Sequence, residues 1–240
     1  HGSMGSGTFN GVGVNSMPIQ IQGANGTTIA EGGTTFAAAK TQSMPLDYGA
    51  LGHYSYGGIS GVIPAALAAN SEIFQFRWSD ATRLCAILEV AISASVSTTM
   101  FAAGVPVQID MVKATSWTAA GTGGTRITPA ALLKLRTSMG STLVAASDIA
   151  IATTAALGAG TKTLETVALR ALAAAGPITG SLNGSIIAPG TMLFRSEVSD
   201  GQHPLVLAQN EGFVIRSVAV PATGTWTASI SVTWAELTAF

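Results

Sequence analysis

The chain has 240 residues, 48% of them apolar and 10% charged, with 11 basic against 12 acidic side chains and a formal net charge of −1. It is too apolar for a disordered polypeptide and lacks the basic excess of a nucleic-acid binder. Its length suffices to bury a core without staples, and its one cysteine, Cys85, excludes an internal disulfide.

His1-Gly2-Ser3 before Met4 reads as a tag remnant, so residues 1–7 are set apart from the fold. Residues 8–45 are rich in Gly, Asn, Thr and Gln, with isolated apolar side chains. That spacing cannot build a private core, and it predicts an extended N-terminal arm ordering on another subunit or particle. A plain tail is the alternative, though a linker has little use for Ile and Phe. Phe9, Val14, Ile19, Ile21 and Phe36 are the candidate assembly contacts of the arm. Asn25-Gly26, between Ile19-Gln20-Ile21 and Thr27-Thr28-Ile29, predicts a small hairpin. No charged segment precedes an apolar stretch, since the first basic residue after the tag is Lys40, so no secretory signal is expected.

Residues 46–240 are expected to form one β-sandwich domain. Phe74, Phe76 and Trp78 alternate with Gln75 and Arg77. Leu84, Ala86, Leu88, Val90, Ile92, Ala94 and Val96 alternate with Cys85, Ile87, Glu89, Ala91, Ser93 and Ser95. Val105, Val107, Ile109 and Met111 continue the period of two, and Trp226, Ala228, Ile230, Val232 and Trp234 repeat it near the C-terminus. Strand side chains point alternately to opposite faces, so each run has a buried and a wetter side. Further strands are expected at 149–154, 163–169, 192–197, 204–208 and 213–220, separated by Gly, Pro and Asn. One short helix is predicted at Pro129–Arg136, with proline in its first turn. The uncharged runs 90–109 and 171–194 are long enough to span a membrane, but Ser alternation, Gly104, Pro106, Pro177 and Pro189 make them strands and turns. The expected class is all-β: an antiparallel, jelly-roll-like sandwich carrying the N-terminal arm.

Chemical motifs are sparse. Gly58-Ile59-Ser60-Gly61 lacks the spacing of a nucleophile elbow. Outside the tag, His53 and His203 have no acid partner at a diagnostic spacing. Gly158-Ala159-Gly160-Thr161-Lys162-Thr163 has the wrong glycine spacing for a phosphate loop and reads as a turn between strands. No His or Cys spacing suits zinc and no acidic loop suits calcium, so no metal or cofactor is expected. Trp117, in the polar stretch Ala114–Thr118, is a candidate sugar platform or subunit contact. Tyr48, Tyr54 and Tyr56 are the other candidate contact aromatics; packing against the sandwich is the competing reading for all four.

Several separated stretches occur together in order: Leu46–Tyr54, Leu67–Trp78, Lys134–Met139, Thr153–Thr161, Leu207–Arg216, Pro221–Trp226 and Trp234-Ala235-Glu236. Across roughly residues 40–240 this order resembles a family of virion structural proteins of tailed bacteriophages, which spans head-decoration, minor-capsid, neck and tail-associated members. The resemblance carries no catalytic residue. It implies a non-enzymatic virion protein, a symmetric homo-oligomer (by analogy a trimer), and contacts with other virion proteins rather than with nucleic acid or membrane. A receptor- or glycan-binding module is the alternative. A glycan-degrading enzyme is a third reading, for which no carboxylate pair is legible.

Overall fold

The computed structural model describes residues 20–22, 28–31, 52–102, 105–128, 133–175, 184–196 and 203–240. The chain divides into two units, His1–Leu46 and Asp47–Phe240. In the first, β1 (Gln20–Gln22) and β2 (Thr28–Glu31) pair antiparallel, with Gln20 opposite Glu31 and Ile21 opposite Ala30. This is the hairpin expected around Asn25-Gly26. Phe9, Val14, Ile19 and Phe36 lie outside the described residues.

The second unit is all-β among its described residues. Its strands are β3 (His53–Ile59), β4 (Ile63–Pro64), β5 (Ser71–Trp78), β6 (Leu84–Val96), β7 (Val107–Ala119), β8 (Thr125–Arg126), β9 (Leu133–Lys134), β10 (Ile149–Ile151), β11 (Thr161–Leu164), β12 (Arg170–Ala174), β13 (Ser185–Arg195), β14 (Leu205–Leu207), β15 (Glu211–Ala219) and β16 (Thr225–Leu237). They build two antiparallel sheets. Sheet A runs β9-β3-β16-β6-β13, with β14 added to β6 and β4 to β16. Sheet B runs β11-β7-β15-β5-β10-β8, with β12 added to β7. The long strands alternate between the two sheets along the chain, so every strand pairing within a sheet joins segments separated by a strand of the other.

No helix occurs among the described residues. The helix expected at Pro129–Arg136 is not there over residues 133–136: Leu133 and Lys134 pair with Ser55 and Tyr54 of β3, and Arg136 accepts a turn bond from Met139 N at 3.0 Å. Four residues gain more backbone bonding from a sheet edge than from a single isolated helical turn, whose nucleation is unfavourable. The uncharged runs contain parts of strands β6 and β7 and of strands β12 and β13, and among the described residues no helix is long and apolar enough to cross a membrane.

The sheets meet through one apolar core. On β16 the alternation is complete: Trp226, Ala228, Ile230, Val232 and Trp234 are buried, and the intervening Thr and Ser side chains face outward. β6 differs from its sequence pattern. Its pairing with β16 shifts between Thr233 and Trp234, where Thr233 opposes Glu89 but Trp234 opposes Ile87. This bulge at Leu88 reverses the faces, as an extra residue in one strand must. Val90, Ile92 and Ala94 enter the core together with Cys85 and Ile87, while Ala86 joins Ala235 and Leu237 in a separate outer cluster. The bulged carbonyl is not wasted, because Leu88 O accepts from Ser196 N at 2.8 Å.

The register yields a paired test. Trp234 is fully buried while Thr233 lies outward beside Ser55 Oγ at 3.4 Å. Trp234→Asp is expected to lower unfolding free energy by several kcal/mol, roughly the cost of a buried unpaired charge. Thr233→Asp should cost far less; equal losses in urea denaturation would overturn this register.

Candidate interaction surface

The two outer sheet faces have opposite chemistry. On sheet A the outward positions of β16 are Thr225, Thr227, Ser229, Ser231 and Thr233. Ser95 and Ser93 of β6 lie opposite Thr227 and Ser229, and Ala91 lies opposite Ser231. From β3, Ile59, Gly57 and Ser55 lie opposite Ser229, Ser231 and Thr233. Ser185 and Met192 of β13 extend these rows beyond Ser95 and Ala91. Cross-strand hydroxyls pair with one another, as in Ser95 Oγ and Thr227 Oγ1 at 3.4 Å and Thr98 Oγ1 and Thr225 Oγ1 at 3.0 Å. Between these strands no charged side chain faces outward until Glu89, which has Arg195 as its strand partner at one end. Ile59 is 72% exposed on this surface.

Sheet B holds charge on its outer face and pairs it. Arg216 and Asp110 form a two-pronged bridge at 2.9 and 2.5 Å. Lys162 and Glu72 meet at 2.9 Å, and Glu72 is also the strand partner of Arg216. Arg77 reaches Asp148 at 3.5 Å and Asn210 Oδ1 at 3.3 Å, which places it on the side opposite Phe76 and Trp78, as the alternation requires.

The candidate aromatics lie as follows. Trp117 is buried on the outer side of sheet B with Val112, Ala114 and Val214. By simple alternation it should face the core, but Ser116 adopts a left-handed backbone (φ 51°) and turns it over. Its ring lies against Gly212 on one side and 4.5 Å below Lys162 Nζ, while its Nε1 donates to Ala119 O at 3.1 Å. It therefore offers no open face to a sugar. Tyr54 is buried, stacked on Trp234, and donates to Gly140 O at 3.0 Å. Tyr56 is half-buried and stacks on Phe74. Tyr48 lies outside the described residues.

A second polar group closes one end of the core. The Glu236 carboxylate is buried, accepts from Thr142 Oγ1, and receives Leu143 N at 3.1 Å. Burial pushes its carboxyl above the ordinary value of 4.5. Burial and then the Glu236 charge push the Tyr54 hydroxyl up to about 12, and the same two causes raise the Cys85 thiol. A fully buried, hard-to-ionise thiol is a poor nucleophile. Sequence reading missed the role of Glu236 because Thr142 and Leu143, which enclose its carboxylate, lie more than ninety positions away in the chain. Among the described residues no group of His, Cys, Asp and Glu is arranged to hold a metal. No family model, curated protein or solved structure matches the chain.

Two outcomes follow. A Cβ on Gly212 would lie 2.2 Å from Phe76 O and 2.9 Å from the Trp117 ring, so Gly212→Ala should destabilise by about 1–3 kcal/mol in thermal or urea melts. Glu236 and Asp148 both have carboxyls raised by burial. The folded state then holds their protons more tightly than the unfolded chain does, so their contribution to stability is complete below the ordinary carboxyl range. It is lost as pH rises through the raised values. Urea midpoints should fall with rising pH over that window, and Glu236→Gln should flatten part of the slope; an unchanged slope would remove Glu236 from the account.

Proposed function

We propose that the protein is a non-enzymatic structural component of a bacteriophage particle, assembling through sheet A into a symmetric homo-oligomer and contacting other virion proteins. The observation that carries this reading is the uncharged outer face of sheet A. Interface centres are depleted in charged residues, whereas a soluble surface is ordinarily about a quarter to a third Lys, Arg, Glu and Asp. Strand geometry gives the face an extent of about 25–30 Å along β16 and about 20 Å across four strands. Both copies together would then bury on the order of 1,000 Å², near the lower bound of a specific interface.

The strand order supports reading the sandwich as a jelly roll. Sheet A carries β3-β16-β6-β13 and sheet B carries β5-β15-β7-β12, the pattern produced when paired strands wrap around a barrel as two Greek keys. Such folds recur in viral capsid and lectin domains. The sequence resemblance favours the capsid side of that pair. The enclosure of Trp117 and Tyr54 takes two of the four candidate platforms from the glycan-binding alternative.

Light scattering coupled to size exclusion tests the reading. The protein at micromolar concentration is expected at a multiple of its chain mass, three times for a trimer. Ser231→Asp, which sets like charges on an uncharged face, should shift it toward monomer with an unchanged far-ultraviolet circular dichroism spectrum. A monomeric wild type, or an oligomer indifferent to Ser231→Asp and Ser93→Asp, would overturn assembly through this face.

A further inference from the structure

Beneath the outer surface of sheet B an amine, a carboxamide and a carboxylate are enclosed together. The side chains of Lys162 and Glu72 are 2% and 7% exposed, and Gln75 is 1% exposed. Lys162 Nζ lies 2.9 Å from Glu72 Oε2, and Gln75 Nε2 donates to that same oxygen at 2.6 Å. Amine and carboxamide are therefore held within two hydrogen-bond lengths of each other by one shared acceptor. Gln75 Nε2 also donates to Gly158 O at 2.8 Å. Both neighbours of this nitrogen are acceptors, so the amide orientation is forced: a flipped group would set its oxygen against a carboxylate and a carbonyl. Gln75 Oε1 is buried and has no hydrogen-bond partner among the described residues. The Trp117 ring covers the amine, and the carbonyl of Ala159 binds it from the turn before β11.

A structural role alone accounts poorly for this set. Burying an ion pair beside a half-satisfied amide costs desolvation that an apolar trio would avoid. The same three groups are the parts of an acyl transfer: a nucleophile, an electrophilic carbonyl carbon with a nitrogen leaving group, and an acid–base group touching both nitrogens.

We propose that Lys162 and Gln75 join in an intramolecular isopeptide bond, with Glu72 as the proton carrier. The Lys162 ammonium first passes a proton to Glu72. The free amine adds to Gln75 Cδ, and the carbonyl electron pair moves onto Oε1. Glu72 returns its proton to Nε2, the oxygen electron pair re-forms the carbonyl, and the Cδ–Nε2 bond breaks to release ammonia. The remaining excess proton on Nζ passes through Glu72 to that ammonia, which leaves as ammonium. No oxidant or co-reactant is consumed, and one turnover occurs per chain. Enclosure on one shared carboxylate oxygen replaces a bimolecular encounter by an intramolecular one, with a side-chain rotation of Lys162 bringing Nζ onto Gln75 Cδ. Glu72 retains Arg216, its strand partner, as a counter-charge after the lysine charge has gone. The product would staple β11, at one edge of sheet B, across β7 and β15 to β5.

Intact-mass spectrometry of the full chain under denaturing conditions, followed by tandem spectrometry of a digest, decides it. The expected result is a mass lower by one ammonia and a branched peptide joining Gln75 to Lys162. Glu72→Gln should keep the full mass and unlinked peptides while retaining the β spectrum, and Glu72→Asp, with the carboxylate withdrawn by one methylene, should link more slowly. A wild type that keeps its full mass after prolonged incubation, with Gln75 and Lys162 in separate peptides, would overturn the proposal. So would loss of one water with the branch at Glu72, or full linkage in Glu72→Gln.

Discussion

The sandwich depends on a chain of aromatic contacts that crosses between its sheets and returns. Tyr54 stacks on Trp234, Trp234 meets the edge-on face of Phe76 at 5.3 Å, and Phe76 lies parallel to Phe213 at 5.4 Å. Phe213 contacts Phe74, and Phe74 stacks on Tyr56. The path leaves β3, passes through β16, β5 and β15, and comes back to β3. Each such pair adds about 0.5–1.5 kcal/mol beyond the area it buries. More important is geometry: rings that must meet across the gap fix the spacing and the register of both sheets at once. The bulge at Leu88 follows from this constraint. Without it, Ile87 and Trp234 could not both face the core while Val90 and Val232 do so further along the same pair of strands.

Once the inner faces are committed to rings and branched aliphatics, the outer faces are free to differ. Sheet B uses its outer face for a second, shallow layer. The left-handed Ser116 brings Trp117 out, Gly212 leaves room for it to lie on β15, and β11 covers it with Lys162 and Leu164. Sheet A has no such layer over β3, β16 and β6 among the described residues, except at the far end where Ala86, Ala235 and Leu237 cluster with Leu84, Leu88 and Val206.

Much of the inner architecture was legible from alternation. β16 and the end of β5 read correctly because no irregularity interrupts their period of two, and Asn25-Gly26 marked the hairpin. The faces of β6 before Leu88 were not legible, since a bulge leaves the hydrophobic pattern intact and only inverts its meaning. Trp117 carried no sign of its burial: the left-handed residue before it is a serine, where glycine would have announced a turn. Lys162 was read as part of the turn Gly158–Thr163; its partner Glu72 is ninety positions away, and only pairing across the sheet brings them together. Likewise, β6 and β16 displayed their alternation in sequence, but β3 was not among the expected strands, and the joining of these outward sides into one uncharged surface emerges from the strand order alone.

The charge economy links these observations. Four ion pairs occur among the described residues: Arg77–Asp148, Lys113–Glu211, Lys162–Glu72 and Arg216–Asp110. All involve sheet B or the turns beside it, and Glu236 is enclosed at the end of sheet A. A chain with so few charged residues thus commits many of them to internal or half-buried partners, where they position loops and strands. Charges engaged in this way contribute little to keeping separate molecules apart, because each pair presents almost no net field beyond its own length. The surface with the least charge is the hydroxyl face of sheet A, and it is this contrast with the ion-paired face of sheet B on which the proposed assembly through sheet A rests.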